Sequence, residues 1–293
     1  MIKRILFTGA SGFVGRALVP ALLARGFQLR LPLREGTAFP DLPAGSERVA
    51  IPDLETADWP AMMDGIDAVV HLAAIAHIGP SVPDDAYERI NHQASVVLGR
   101  AASASGHVQR FIFMSSIRAQ TGVSSNVPLH IGLPPQPTDA YGRSKLAAEQ
   151  DLARLPDLAV TSLRPVVIYG KEAKGNVATL LKLARTGLPL PIGGLMAKRS
   201  YLSLDRLVAV VIDALESETP MMGPKIVADP EPMTLAEFLD HLLDLEATHT
   251  GDPRIKPRIW NVPEWLLRMI IKPVKPDVWG KLGGWQVVDM DRR

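Results

Sequence analysis

The first 170 residues of this 293-residue chain alternate short apolar runs with helical patterns, and the runs are continuous instead of alternating polar and apolar. "RILFT", "FQLRLPL", "ERVAIPDL", "DAVVHLAA", "QRFIFMSS" and "AVTSLRPVVIYG" read as strands covered on both faces, the pattern of a parallel sheet. Between them, "FVGRALVPALLARG", "AYERINHQASVVLGRAASASG" and "AYGRSKLAAEQDLARL" carry helical spacing. Strand–helix alternation predicts an α/β fold with a doubly wound parallel sheet. A Pro/Ser/Gly-rich loop from about Arg118 to Asp139 interrupts the rhythm, and loops of that length usually serve function. Beyond Gly170 the pattern loosens into helices near Val177–Arg185, Leu204–Leu215 and Thr234–Leu245. Residues 1–170 are therefore expected to form the sheet domain, and 171–293 mainly a smaller lobe set against it. "WLLRMII", at 265–271, is amphipathic, is stopped by Pro273, and is expected to pack inside that lobe in preference to a membrane role.

Composition narrows the function classes. A chain that is 47% hydrophobic and 22% charged can bury a substantial core. The 32 basic and 31 acidic residues leave a net charge of +1, no field for gathering nucleic acid or an anionic membrane, so small molecules are the expected partners. No cysteine is present, which excludes disulfides and thiolate chemistry and suits a reducing cytoplasm. The start, "MIKRILFTGASG", reaches a glycine turn too early to hold a signal-peptide apolar segment. No apolar run approaches the roughly 18 residues of a membrane span. The seven histidines form no metal-ligand cluster at helical spacing, so no metal is expected.

Two motifs carry chemistry. "TGASGFVG" places Gly9, Gly12 and Gly15 directly after the first strand and at the start of the first helix, with Ser11, Phe13 and Val14 between them. Glycines there let backbone approach a pyrophosphate, and the helix N-terminus offers N–H groups and a positive dipole end. At the end of the second strand an acidic residue would hold an NAD ribose. Arg34 stands there instead and favours NADP, while the adjacent Glu35 keeps NAD possible. The second motif, "YGRSK", sets Tyr141 and Lys145 one helical turn apart. A free phenol has a pKa of about 10, and an ammonium one turn away would favour its ionised form. Alone, the same spacing suits a surface tyrosine beside a snorkelling lysine.

Together with "VVHLAA" at 69–74, "FIFMSS" at 111–116, "LRPVVIYG" at 163–170 and "KRSYLSLDRLV" at 198–208, these motifs resemble the extended short-chain dehydrogenase/reductase family, in particular its nucleotide-sugar epimerase, dehydratase and reductase members. The resemblance implies a Rossmann-type dinucleotide-binding domain with a C-terminal nucleotide-sugar-binding lobe. It implies Tyr141 as acid/base, Lys145 as its tuning residue and ribose contact, and Ser116, preferred over Ser115, as the hydroxyl bonding the reacting oxygen. Asp53 would bond adenine; Leu54, Leu72, Ala73, Ala74, Asn91 and Pro165 would line the cofactor. Arg199 would clamp the substrate diphosphate and Asn176 would add a contact, while Arg254 and Arg258 read as a solvated basic loop. His71 reads as a core histidine. "IRAQTG" replaces the family's usual Tyr-Gly pair after the serine, which bears on the sugar pocket, and the tail is short. The reaction implied first is NADPH-dependent 4-reduction of a UDP-linked 4-keto-6-deoxy-hexose or its N-acetyl form, in surface polysaccharide biosynthesis. The alternative is a UDP-sugar 4-epimerase using NAD, and a third is a non-catalytic NADP-sensing regulator. A homodimer through helices around Ala94–Ser105 and Tyr141–Leu152 is also implied.

Overall fold

The computed structural model describes residues 2–37, 39, 44–75, 82–173, 175–251, 255–274 and 276–290. The strands are β1 (Arg4–Thr8), β2 (Gln28–Arg34), β3 (Ser46–Ile51), β4 (Ala68–His71), β5 (Arg110–Met114), β6 (Ala159–Pro165), β7 (Val167–Tyr169), β8 (Tyr201–Ser203) and β9 (Gly223–Val227). The helices are α1 (Phe13–Ala24), α2 (Trp59–Met62), α3 (Asp84–Tyr87), α4 (Ala94–Ala104), α5 (Ile117–Gln120), α6 (Ala140–Leu152), α7 (Asn176–Arg185), α8 (Leu204–Glu216), α9 (Leu235–Thr250), α10 (Glu264–Val274) and α11 (Pro276–Leu282). A π-helical turn, Glu88–Gln93, joins α3 to α4.

Seven strands form one parallel sheet in the order β3-β2-β1-β4-β5-β6-β9. The chain order reverses between β1 and β4, and the crevice at the carboxyl ends beside that point is where doubly wound sheets bind ligands. Side chains alternate across each strand. Ile5 and Phe7 enter a core shared with Leu18 and Leu22 of α1 and Leu207, Val211 and Leu215 of α8. Leu6, Val69, Phe111 and Phe113 enter the opposite core with Trp59, Leu98, Ala102 and Leu152. Both faces are covered, as the continuous apolar runs require.

Three segments differ from the sequence reading. "AVTSLRPVVIYG" is two strands: Val166 donates its N–H to Val227, after which β7 leaves to pair with β8 in a separate two-stranded sheet. The helix read across 86–106 is helical from Asp84 to Ala104, but it passes through a π-helical turn around Asn91. Beyond residue 170, β9 adds a sheet strand and α8 packs against α1, so the sheet layer draws on chain from both sides of that position. "GPKIV" hides a strand behind Gly223 and Pro224. Because the Val227 carbonyl faces β6, alternation turns the position of the missing Pro224 N–H to the outer side, where a proline costs no ladder bond.

The lobe packs Leu239 and Leu243 of α9 with Leu190, Ile192, Leu195, Leu267 and Trp279. A capping box of Thr234 and Glu237 starts α9, and left-handed Gly251 ends it. The expectation that 265–271 packs inside this lobe holds only in part. Leu267 is buried, but Trp265, Met269 and Ile270 face outward. No helix among the described residues is long and apolar enough to cross a membrane.

Helix α6 is fixed to the sheet by a buried charge cluster. The Glu149 carboxylate accepts from Arg164 Nε at 3.0 and 3.1 Å and from the Ser115 hydroxyl, while Arg164 also donates to the Gln120 side chain. The Arg164 and Glu149 side chains are 3% and 5% exposed. Glu149→Leu leaves a buried guanidinium without its counter-charge and should destabilise the fold by about 3–5 kcal/mol. Urea unfolding, with the slope unchanged and the midpoint lowered, measures it.

Candidate active site

The glycine turn sits at the switch point. Gly9 has φ +80, and a Cβ there would lie 2.7 Å from the Ala73 nitrogen and 2.9 Å from the Leu72 carbonyl carbon. A Cβ on Gly15 would come within 2.2 Å of the Gly9 oxygen. The bare backbone thus lets the turn close on the end of β4 on one side and on α1 on the other. Gly12 is the exposed N-cap of α1, with no side-chain cap and no acidic residue in the first turn. The first-turn N–H groups of a helix have no intrahelical partner, so this cradle fits a pyrophosphate. Ser11, Phe13 and Val14 flank it half-buried, as do Leu72, Ala73 and Ala74 across the crevice.

Beneath the turn, a hydrogen-bond chain fixes the crevice wall. Ala73 N–H donates to the Thr8 hydroxyl, Thr8 meets His71 Nδ1 at 2.7 Å, His71 Nε2 meets the Ser95 hydroxyl at 2.9 Å, and Ser95 donates to the Asn91 carbonyl. The Ser95 proton is committed to that carbonyl, so Nε2 carries the imidazole proton and Nδ1 accepts from Thr8. Burial holds the His71 pKa down to about 3, with Lys145 adding to the effect, so the ring stays neutral. It is the satisfied core histidine expected of it. Asn91 is fully buried, and its amide brackets Ile75: Oδ1 accepts the Ile75 N–H at 2.8 Å and Nδ2 donates to the Ile75 carbonyl at 3.0 Å. These bonds fix the chain just after β4 at the rim of the crevice.

Ser116, Tyr141 and Lys145 converge at the carboxyl end of β5. Ser116 caps α5, its hydroxyl accepting from Arg118 N–H at 3.1 Å, and it is 9% exposed. Ser115, by contrast, points its hydroxyl at buried Glu149, so Ser116 alone of the two faces Tyr141. Tyr141 enters on the first turn of α6, which Asp139 caps by accepting from Gly142 N–H at 2.7 Å. Gly142 is itself required, since a Cβ would lie 2.3 Å from the Arg118 carbonyl oxygen. Lys145 is 2% exposed; its Nζ donates to the Met114 carbonyl at 2.8 Å and lies 4.5 Å from the Phe113 ring centroid.

The electrostatics differ from the sequence expectation. Burial, joined by the Asp139 carboxylate, pushes the Tyr141 phenol above its ordinary value, against the hydrogen bond with Ser116 and the charge of Arg118. Burial also lowers Lys145 to about 7, opposed by Glu149. Lys145 is not among the groups acting on the phenol here, because its ammonium is turned to Met114 and desolvation dominates both side chains. The pair as it stands is a protonated phenol beside a lysine that sheds its proton readily.

The remaining candidates fall at varied distances from this centre. Asp53 Oδ1 is occupied by Glu55 N–H, Thr56 N–H and the Thr56 hydroxyl, which close its own turn and lower its pKa, with Leu54 half-buried beside it. Arg34 is exposed at the end of β2, and Asn176 is exposed at the start of α7. Pro165 is a ladder residue of β6 opposite Val227. Arg199 departs most: its guanidinium donates to the Gly280, Gly284 and Val123 carbonyls and to Gln286 Oε1, clasping the tail to the loop after Ser116. A diphosphate clamp would have to open that clasp. Arg258 is exposed, and Arg254 lies outside the described residues. The Arg118–Asp139 ion pair beside Tyr141 was not singled out from the sequence; its only signal was the basic residue replacing the family's usual pattern after the serine. No group of three or more metal-ligating side chains occurs among the described residues.

The lowered Lys145 pKa has a measurable sign. Above about pH 7 the folded chain releases this proton, whereas the unfolded chain keeps it until about pH 10.4. Wild-type stability relative to Lys145→Met should therefore rise between about pH 7 and pH 9.5, and urea midpoints at the two pH values measure it.

The chain matches the NAD dependent epimerase/dehydratase family over residues 5–227. It is 31% identical over 303 residues to a UDP-glucose 4-epimerase of Vibrio cholerae, across 99% of this chain and 88% of that protein. The structure of UDP-glucose 4-epimerase with UDP-glucose from Thermotoga maritima superposes with a TM-score of 0.74 at 23% identity, over 98% of this chain and 89% of that one. The Bordetella bronchiseptica enzyme WbmG in complex with NAD and UDP gives 0.72 at 24% identity, over 100% and 92%. At those identities the structural likeness concerns the fold. With the family match spanning the sheet and a relative of this identity spanning nearly the whole chain, the protein belongs to the NAD-dependent epimerase/dehydratase family and is an NAD-dependent enzyme of the extended short-chain dehydrogenase/reductase type.

Proposed function

We propose that this enzyme inverts C4 of a UDP-linked hexose, acting as a UDP-sugar 4-epimerase with NAD. The observation that carries the reading is the meeting of the Ser116 hydroxyl, the Tyr141 phenol and Lys145 at the crevice beside the glycine cradle, in a chain similar along 99% of its length to a UDP-glucose 4-epimerase. Bound NAD supplies the hydride acceptor at C4 and, while oxidised, a positive charge. A positive charge there would oppose the desolvation that raises the Tyr141 pKa and so favour release of the phenol proton. Once ionised, Tyr141 would take the C4 hydroxyl proton on its phenolate oxygen as the C4 hydride leaves for the cofactor, and would give that proton back when the hydride returns to the other face of C4. Ser116 donates to the C4 oxygen throughout, holding it in line with the phenol. Lys145, held on the Met114 carbonyl one turn along, is read as the contact to the cofactor ribose. Arg118 beside the phenol favours the ionised form, while its ion-pair partner Asp139 opposes it.

A 4-ketoreductase is the second reading, and two observations favour it. A phenol that holds its proton is poised as the acid a ketone reduction needs, and exposed Arg34 is placed to welcome the 2′-phosphate of NADPH. In surface polysaccharide synthesis its substrate would be a UDP-4-keto-6-deoxy-hexose or the N-acetyl form. Purified protein given UDP-glucose or UDP-N-acetylglucosamine with NAD should form the C4 epimer without net cofactor change. Stoichiometric NADPH loss with the keto sugar and no epimer would replace the first reading with the second. Cofactor binding with neither reaction would leave a nucleotide sensor.

Tyr141→Phe should lower turnover by roughly 10²–10⁴ while cofactor affinity stays near wild type. Single-turnover assays beside calorimetric cofactor titration check it, and an active variant would remove Tyr141 from its role.

A further inference from the structure

We infer that α10 is a docking face for an anionic phospholipid surface. The helix is held to the lobe through Leu267 and, more loosely, Ile271. Its outer side carries Trp265, 63% exposed, Met269, 63%, and Ile270, 60%, and Val274 at its end is 76% exposed on the flank beside Leu267. Those are four of the twelve large apolar side chains exposed among the described residues, gathered in one helix of 11 residues, so this is a patch and not scatter.

At 100° per residue, Trp265, Met269 and Pro273 form one ridge, and Arg268 and Lys272 form the row beside it. Those five residues line a shallow hollow of about 610 Å³, with no acidic side chain among them. Glu264, the acidic residue of this helix, is in its first turn and half-buried.

Charge decides between the occupants. In a twofold contact with a second copy, the same patch meets itself, which would press Arg268 and Lys272 of one protomer toward the same cations of its partner. Interface cores are instead depleted in charge. An anionic headgroup layer accepts both features: apolar side chains and the indole sink to the acyl boundary, while the cations stay at phosphate level on their flexible stems. The face is also joined to the candidate site. Helix α11 follows α10 directly, and its Gly280 carbonyl, with that of Gly284, is held by Arg199, which also holds the loop after Ser116 through Val123. The enzyme would thus sit at the surface with the site rim braced against the docking helix. The net charge of +1 argued against a membrane partner, but binding here needs only a local patch.

The test is co-sedimentation of the full chain with phosphatidylglycerol-rich vesicles and with pure phosphatidylcholine vesicles, beside tryptophan emission. Wild type should pellet with the anionic vesicles only, with blue-shifted emission and release at high salt. Trp265→Ser with Met269→Ser, and separately Arg268→Glu with Lys272→Glu, should each weaken binding roughly tenfold or more, with thermal midpoint and NAD affinity unchanged. All four positions are exposed, so folding is not at issue. Wild type remaining in the supernatant, or either double variant binding as wild type does, would overturn the inference. So would an oligomer that dissociates on the Trp265 and Met269 replacement, which would hand the face to a second copy.

Discussion

The site depends on how one buried carboxylate is used. Glu149 lies in the last turn of α6 and ties that helix to β6 through Arg164 and to the end of β5 through Ser115. Tyr141 and Lys145 are two and one turns earlier on the same helix, so their positions relative to Ser116 are set by this anchor. Arg164 extends the reach to Gln120, whose side-chain amide bonds the Leu133 carbonyl, which fixes α5 and the long loop in the same operation. Burying a pair of charges seldom adds net stability, but in a fully bonded cluster it admits few alternative placements. Rigidity of this kind is what a proton-transfer geometry needs.

Much of this was legible in the sequence, for stateable reasons. Continuous apolar runs can only be satisfied between two layers, so the parallel sheet followed from "RILFT" and "FIFMSS". The glycine turn was legible because backbone contact leaves no alternative residue at Gly9 or Gly15. What escaped were features decided by tertiary context. β9 looks like a breaker because of Pro224, and only its edge position makes the proline harmless. The strand through Pro165 was split by a bonding pattern that no local propensity records. Ser116 and Ser115 are neighbours of one type, yet one faces the crevice and the other a buried carboxylate, a distinction of strand alternation at a place where the strand ends.

Side-chain electrostatics were the least legible. Proximity along a helix suggested that Lys145 would ionise Tyr141, but Lys145 turns its Nζ to the Met114 carbonyl and burial opposes charge on both groups. Desolvation is invisible in a sequence because it depends on everything that surrounds a group. Arg199 teaches the same lesson: a residue type suited to diphosphate is equally suited to several carbonyls at once, and here it closes the tail over the loop after Ser116.

The outer side of β9 has a further effect on the life of the molecule. A bare terminal strand offers a row of donors and acceptors on which another chain can assemble. At Pro224 that row has a gap, and the flanking Gly223 is in a left-handed conformation that turns the chain at the strand's start. The open margin of the sheet is thereby made a poor template for growth, so the same residue that disguised a strand also helps keep the protein from polymerising.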